Sequence, residues 1–149
     1  MEQYLEQFWI FLLGIFLRID WTSRVVSLDE RISRYIVNKH HMKKRISPAA
    51  FMPRTGCTSV YRTTGCAEKR VWLLGLLFVE RKRRDNVKIL GRADLGSKIV
   101  FDEGLNIRPS LGPHPRHANL IGWPEDKAEQ KDKAAALAQA AALVLRPKP

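Results

Sequence analysis

The chain has 149 residues, with 26 Lys+Arg against 15 Asp+Glu for a net charge of +11, 45% hydrophobic residues, nine Gly, eight Pro and two Cys. This composition excludes a collagen-like repeat, a disulfide-stapled mini-protein and a wholly disordered chain, and the length suffices for one sizeable core. The positive excess favours polyanionic partners such as nucleic acid or phosphorylated ligands, and says nothing about fold.

Residues 8–17 (FWIFLLGIFL) form an unbroken apolar run closed by Arg18. As a helix the run would cover about 15 Å, half of a hydrocarbon core of about 30 Å, so it is too short to span a membrane. A secretory leader is disfavoured by Glu2 and Glu6 and by the lack of an early Lys or Arg. Three readings stay open for residues 1–24: an interfacial helix with Trp9 and Trp21 at headgroup level, a helix docked on the domain or a partner, or an extension upstream of the native start. The last two together outweigh membrane contact. The expected organisation is therefore an apolar N-terminal helix or extension over residues 1–24 and one domain over residues 25–149.

Residues 28–37 (LDERISRYIV) predict a short helix, because Leu28, Ile32, Tyr35 and Ile36 recur at i, i+4, i+7 and i+8. Residues 38–53 read as a polar loop punctuated by Pro48 and Pro53. Residues 58–63 (TSVYRT) alternate and are β-branched or aromatic, which predicts a strand. A helix is expected from Ala67 to about Arg83, apolar nearly all round (VWLLGLLFV) and therefore buried. Residues 87–90, 97–101 and 105–107 are candidate strands, with a tight turn at Gly91, Arg92, Ala93 and Asp94 in which Arg92 and Asp94 pair. Residues 109–115 must be a loop, and residues 117–122 (HANLIG) predict another strand. The last helix is expected to open at Pro124, with Glu125, Asp126 and Glu129 near its positive end, an ion pair from Glu129 to Lys133, and an inward face of Leu137, Ala141, Val144 and Leu145. Together these elements predict an α+β fold, a small mixed or antiparallel sheet packed by two or three helices.

The charge is uneven, with residues 1–50, 51–100 and 101–149 carrying +3, +7 and +1. Its densest run is Arg81, Lys82, Arg83 and Arg84, with Lys88 just beyond, and nucleic-acid contact is expected there first. The plainer reading of that run is a solvated helix end that complements the helix dipole. Cys57 and Cys66 stand nine residues apart, and His114 and His117 sit by a proline-rich loop, so neither set has metal-ligand spacing and no metal or cofactor is expected. No phosphate loop, nucleophile elbow or H-E-x-x-H helix is present.

The most chemically loaded stretch is residues 116–124 (RHANLIGWP), where a guanidinium, an imidazole and a carboxamide fall within four residues. On a strand His117 and Asn119 share a face. Arg62 and Arg92 could join Arg116, His117 and Asn119 across the sheet to hold phosphate, with arginine forks for oxygen and a titratable imidazole as candidate acid or base. Against this stands a structural role, with His117 and Asn119 satisfying backbone groups near the helix entry.

RHANLIGWP resembles the C-terminal signature of a family of small bacterial proteins. The resemblance extends to Ile32-Ser33-Arg34-Tyr35-Ile36, to Ala50-Phe51-Met52-Pro53, to Ser59-Val60-Tyr61-Arg62-Thr63 and to Gly91-Arg92-Ala93-Asp94. It covers roughly residues 28–146 and implies a soluble protein of bacterial or phage origin, with no activity to carry over; the cytoplasmic expectation rests on reading Cys57 and Cys66 as reduced thiols. The expectation is a basic accessory protein that binds nucleic acid or a phosphorylated ligand, in a bacterial or phage defence or mobile-element setting. The alternatives are a small nuclease- or toxin-like enzyme acting on phosphodiesters or nucleotides through His117 and arginines, and an adaptor docked to a membrane or protein partner through residues 8–21. Whether the chain is an enzyme stays open.

Overall fold

A computed structural model describes residues 8, 9, 11, 12, 23–83, 85–110 and 112–148. The helix expected over residues 8–17 falls mostly outside the described residues, as does Arg84 of the basic run.

Six antiparallel strands form one sheet in the order β4-β5-β2-β1-β3-β6. They are β1 (Arg31–Ile36), β2 (Thr58–Arg62), β3 (Gly91–Gly96), β4 (Asn106–Pro109), β5 (His117–Ile121) and β6 (Ala142–Leu145). Three helices pack on the sheet: α1 (Glu68–Gly75), α2 (Ser97–Asp102) and α3 (Lys127–Ala140). A wider turn of helix, Leu76–Glu80, extends α1. The mixed α+β architecture agrees with expectation, and so do β2, β5 and α1.

Both faces of the sheet are covered. On the first face, Ile32, Ile36, Val60, Ala93 and Leu120 pack against Val100 of α2 and Ala134 and Leu137 of α3. On the second face, Tyr35, Tyr61 and Ile89 pack against Val71, Leu74 and Phe78 of α1 and its extension.

This double burial explains why residues 28–37 form a strand and not the expected helix. In β1 Ile32 and Ile36 enter one core and Tyr35 the other, while Ser33 is buried by hydrogen bonds to Thr63 and Asp94. A strand buried on both sides loses the simple alternation that marks a half-exposed one, and its apolar residues happened to fall at helical spacing. Gly91 to Asp94, expected as a turn, belong to β3 and pair along the whole of β1 from Arg31↔Gly96 to Ile36↔Gly91.

Other boundaries moved for local reasons. Residues 97–101, expected as a strand, form α2, and residues 87–90 carry no strand, although the Leu90 amide donates to the Ile36 carbonyl. The third expected strand is displaced to β4, Asn106–Pro109. α3 starts at Lys127 rather than Pro124 because the Asp126 carboxylate caps it, accepting from the Ala128 and Glu129 amides at 2.7 and 2.9 Å. Pro124 lies upstream, where its carbonyl accepts from Gln130 Nε2. Lys133 Nζ donates to the Glu103 carbonyl in place of the pairing expected with Glu129. α3 ends at Ala140, so Val144 and Leu145 are not on its inward face. They belong to β6, which pairs with β3 at the sheet edge.

Glu80 ties three segments together. Its buried carboxylate accepts from the Ile89 amide at 2.8 Å, from Lys88 Nζ at 3.1 Å and from Arg146 Nη1 at 2.7 Å. Burial pushes its pKa up, but the Ile89 amide and the two cations outweigh that and hold it below the ordinary carboxylate value. A carboxylate with a depressed folded-state pKa contributes stability above its unfolded pKa, about 4.3, and that contribution is lost as pH falls through the folded value. Glu80→Gln should therefore lower stability at pH 7 by about 1.5–3 kcal/mol, the usual worth of hydrogen bonds to a charged group. In denaturant titrations the gap to the unsubstituted protein should close as pH falls below about 4, and a gap that persists at low pH would contradict the assignment.

Gly75 is required by close approach. A Cβ there would lie 2.6 Å from Tyr35 Cε1 and 2.8 Å from Ile89 Cδ1, and the Tyr35 ring cannot retreat because its hydroxyl donates to the Val71 carbonyl. Gly75→Ala raises helix propensity by about 1 kcal/mol, yet overpacking of about 1–3 kcal/mol should prevail. The expected result is a lower denaturation midpoint.

Candidate functional site

Residues paired across neighbouring strands project on the same side of a sheet. The ladder sets Ser59 opposite Asn119, Asn119 opposite Arg108, and Tyr61 opposite His117. His117 and Asn119 thus share the second face, as expected, with Ser59 and Tyr61 beside them. Arg62, one residue past Tyr61 and opposite Ile32, points to the first face. It is buried and gripped by Glu30, with Nε to Oε2 at 2.7 Å and Nη2 to Oε1 at 2.6 Å.

Arg92, on β3, is on the second face, but β2 and β1 lie between it and β5, and it is 1% exposed. Its Nε donates to Asp94 at 2.9 Å, its two terminal nitrogens to Glu68 at 2.9 and 2.7 Å, and its guanidinium lies 4.7 Å from the Trp72 ring centroid. Arg116 donates from Nη1 to the carbonyls of Arg62 and Thr64 at 3.1 and 3.2 Å. Of the expected phosphate-binding set, His117 and Asn119 are brought together, whereas Arg62 and Arg92 are engaged by carboxylates in separate places. Arg116 bonds to the backbone beside the β2 end.

The expected basic run is also divided. Arg81 and Lys82 are exposed, Lys88 pairs with Glu80 at 3.1 Å, and Arg83 pairs with Asp85 at 3.0 Å. Arg83 in addition lines a cavity of about 390 Å³ with Arg34, Lys39, His40, His41 and Arg54. Tyr35, Val37, Asn38 and Val87 complete the lining, which holds no carboxylate.

Arg34 organises this cavity. β1 and β2 share only two residue pairs, Ile32↔Arg62 and Ser33↔Tyr61. Beyond them the Arg34 guanidinium donates from Nε to the Ala50 carbonyl at 3.1 Å and from Nη1 to the Ser59 carbonyl at 2.8 Å. Burial, then the like charges of Arg54 and Arg83, push its pKa down to about 10, so it stays cationic at neutral pH. The neighbouring loop is held by Asn38, whose side chain accepts from the His40 amide, and this turn carries Lys39, His40 and His41 to the cavity. Burial and the charges of Arg34, Arg54 and His40 hold the His41 pKa below its ordinary value.

On the second face of the sheet, His117 Nε2 and Ser59 Oγ are 2.6 Å apart. The imidazole is 8% exposed, stands edge-on to the Tyr61 ring at 5.3 Å, and its Nδ1 has no hydrogen-bond partner. Tyr61 in turn meets Tyr35 of the cavity wall edge-on at 5.4 Å. His114, expected only as a loop residue, is fully buried against Phe78 at 4.8 Å. Among the described residues no cluster of three or more His, Cys, Asp or Glu could hold a metal ion. Cys57 and Cys66 are both free thiols.

The residues that sequence reasoning overlooked are Arg34, Lys39, Arg54 and Ser59. Each of Arg34, Ala50, Ser59 and His117 lies in a different one of the quoted motif segments, and here those segments meet through the two Arg34 bonds and the Ser59–His117 contact. No family profile matches the chain, nor does any curated protein or solved structure.

The His117 pKa is held below its ordinary value, first by burial and then by the Arg34 charge. A histidine-selective NMR titration should place its midpoint below about 6.5. Arg34→Gln removes a like charge and should move that midpoint up; a midpoint at or above the ordinary value in the unsubstituted protein would refute the placement. Because the folded state favours the neutral ring, protonation of His117 opposes folding and its contribution to stability declines as pH drops below the unfolded value.

Proposed function

We propose that the protein binds a phosphate-bearing ligand, the backbone of a nucleic acid included, in the cavity between Arg34, His41 and Arg54. The observation that carries this reading is the lining itself: six cationic or imidazole side chains around about 390 Å³ with no carboxylate among them. Apart from Arg83, which pairs with Asp85 outside the lining, these charges face one another without a carboxylate between them, and an anion relieves their repulsion. Arginine offers paired donors to phosphate oxygens, lysine a point charge, and histidine a proton to add when a dianion arrives. Tyr35, Val37 and Val87 supply apolar wall against which a sugar or base can rest. Exposed Arg81 and Lys82 beyond the rim add attraction without selectivity.

A docking role for residues 8–21 concerns a segment of which only residues 8, 9, 11 and 12 are described, with Phe8, Trp9 and Phe11 exposed. No helix among the described residues is long and apolar enough to cross a membrane.

Fluorescence anisotropy with a 5′-labelled single-stranded oligonucleotide at two salt concentrations tests the proposal, with inorganic phosphate and pyrophosphate as competitors. Binding should weaken as salt rises, because cation–phosphate contacts release counterions. Arg54→Glu and Lys39→Glu, both at exposed positions, should each weaken it about tenfold or more, the worth of one lost charge-assisted hydrogen bond. Absence of binding at low salt, for the oligonucleotide and for both competitors, would overturn the reading.

A further inference from the structure

The phosphate cavity does not account for one polar pair, Ser59 and His117 on the adjoining strands. We propose that Ser59 is a nucleophile and His117 its general base, and that together they form a transient covalent ester with the phosphoryl group of a phosphodiester.

The geometry meets the first requirement of such a pair, a hydroxyl within hydrogen-bond reach of an imidazole nitrogen, at 2.6 Å. Ser59 is half-buried and so open on one side, whereas His117 is held rigidly by its ring contact with Tyr61 and by its own amide, which donates to the His114 carbonyl at 2.8 Å. The Ser59 main chain is fixed by Arg34, which donates to its carbonyl. Asn119, opposite Ser59 in the ladder, presents a neutral amide from the same face, and Arg108, opposite Asn119, presents an exposed guanidinium. His117 Nδ1 is buried without a partner, so Ser59 is the one side chain that orients the imidazole by a hydrogen bond, through Nε2.

The substrate class rests on the phosphate-binding reading: a nucleophile among arginines beside a cationic cavity is matched to an anionic phosphorus ester rather than to a neutral amide. In the step, Ser59 Oγ attacks phosphorus while its proton passes to His117 Nε2. The Oγ–P bond forms, and the P–O bond to the leaving alkoxide breaks with its electron pair. That alkoxide takes the proton from His117, which returns to the neutral ring. Water then attacks the serine ester, giving its proton to His117, and Ser59 recovers that proton as the Oγ–P bond breaks. No oxidant, reductant or metal enters the balance. The orphaned Nδ1 means that no carboxylate steadies the imidazolium, and Arg34 disfavours it further. That handicap slows both steps; with an aryl leaving group far more acidic than the serine hydroxyl, ester formation should exceed its hydrolysis and the adduct should accumulate.

The test uses the full chain and the activated diester bis(4-nitrophenyl) phosphate. The expected result is a burst of 4-nitrophenolate approaching one equivalent, with the serine ester mapped to the Ser59 peptide by mass spectrometry. Ser59→Ala should abolish burst and adduct. His117→Gln should slow the burst about 100-fold or more, the usual worth of a positioned base. No adduct on Ser59 in the unsubstituted protein, an adduct on another residue, or an unchanged burst in His117→Gln would each overturn the assignment. Oligonucleotide binding retained without a burst would overturn the covalent role alone, whereas loss of both would remove the phosphate-binding reading as well. Circular dichroism of each variant confirms that it is folded.

Discussion

The contact on which the rest of the structure depends is the pair of hydrogen bonds from the Arg34 guanidinium to the carbonyls of Ala50 and Ser59. Where β1 and β2 part after two residue pairs, their backbones would leave carbonyl oxygens facing a gap. An unpaired buried carbonyl costs roughly as much as a lost hydrogen bond, so the gap must be filled by donors. A guanidinium suits the position because it spreads several N–H groups in a fixed fork and is more weakly hydrated than an ammonium. Lysine would offer a compact charge that is costlier to desolvate. The separation of the two strands opens a cavity, and the group that satisfies the backbone there also makes the cavity positive.

The net charge of +11 takes on a different meaning once its members are located. Arg62 and Arg92, the two most buried arginines among the described residues, are consumed by Glu30 and by Glu68 with Asp94. The pairs Arg62–Glu30 and Arg92–Asp94 are buried and lose in desolvation much of what they gain in attraction, so they serve best to fix which strand lies beside which, whereas Glu68 is exposed. Arg92 links β3 to α1, and Arg62 links the end of β2 to the segment entering β1. Lys88 and Arg146 converge on Glu80. The charge gathered around the cavity lies on the turn Lys39–His41, on Arg54, and on the exposed end of the α1 extension, three places remote in sequence. A cluster assembled by folding is invisible to a count along the chain, and the densest basic run was not the place where cations gather without carboxylates.

Legibility followed burial. β2 and β5 were plain because β-branched and apolar residues alternate along short segments bounded by Gly or Pro. The α1 helix was plain because VWLLGLLFV is too long and too apolar for anything but a buried helix beside the sheet. β1 and β3 were not: with Ser33 and Arg92 made acceptable inside by specific partners, polar residues sit where alternation forbids them, whereas β2, buried on both faces too, keeps β-branched and aromatic residues. Short elements such as α2 and β6 carry too few residues for a period to emerge. In RHANLIGWP the shared face of His117 and Asn119 could be read from strand alternation, but their neighbours could not, since which strand lies beside β5 is a property of the whole sheet. Ser59 passed for an ordinary strand residue until the ladder set it opposite Asn119.

The sheet divides its labour between its two faces. The first is covered by α2 and α3 and, apart from Arg62, Arg34 and Thr58, is lined by apolar side chains that interlock with those helices. The second is covered over β1 and β3 by α1 and by the ring stack of Tyr35 and Tyr61, and beyond that stack it becomes polar through His117, Ser59, Asn119 and Arg108. Tyr61 stands at the boundary, one edge in the apolar cluster and the other against the imidazole. Burial there raises the pKa of both tyrosines and lowers that of His117, so the three rings are neutral together at physiological pH. Their neutrality matters to the Arg34 charge beside them: rings without a formal charge neither pair with the guanidinium nor add to the cations already crowded against it. The positive charge is left to be met by something that enters from outside.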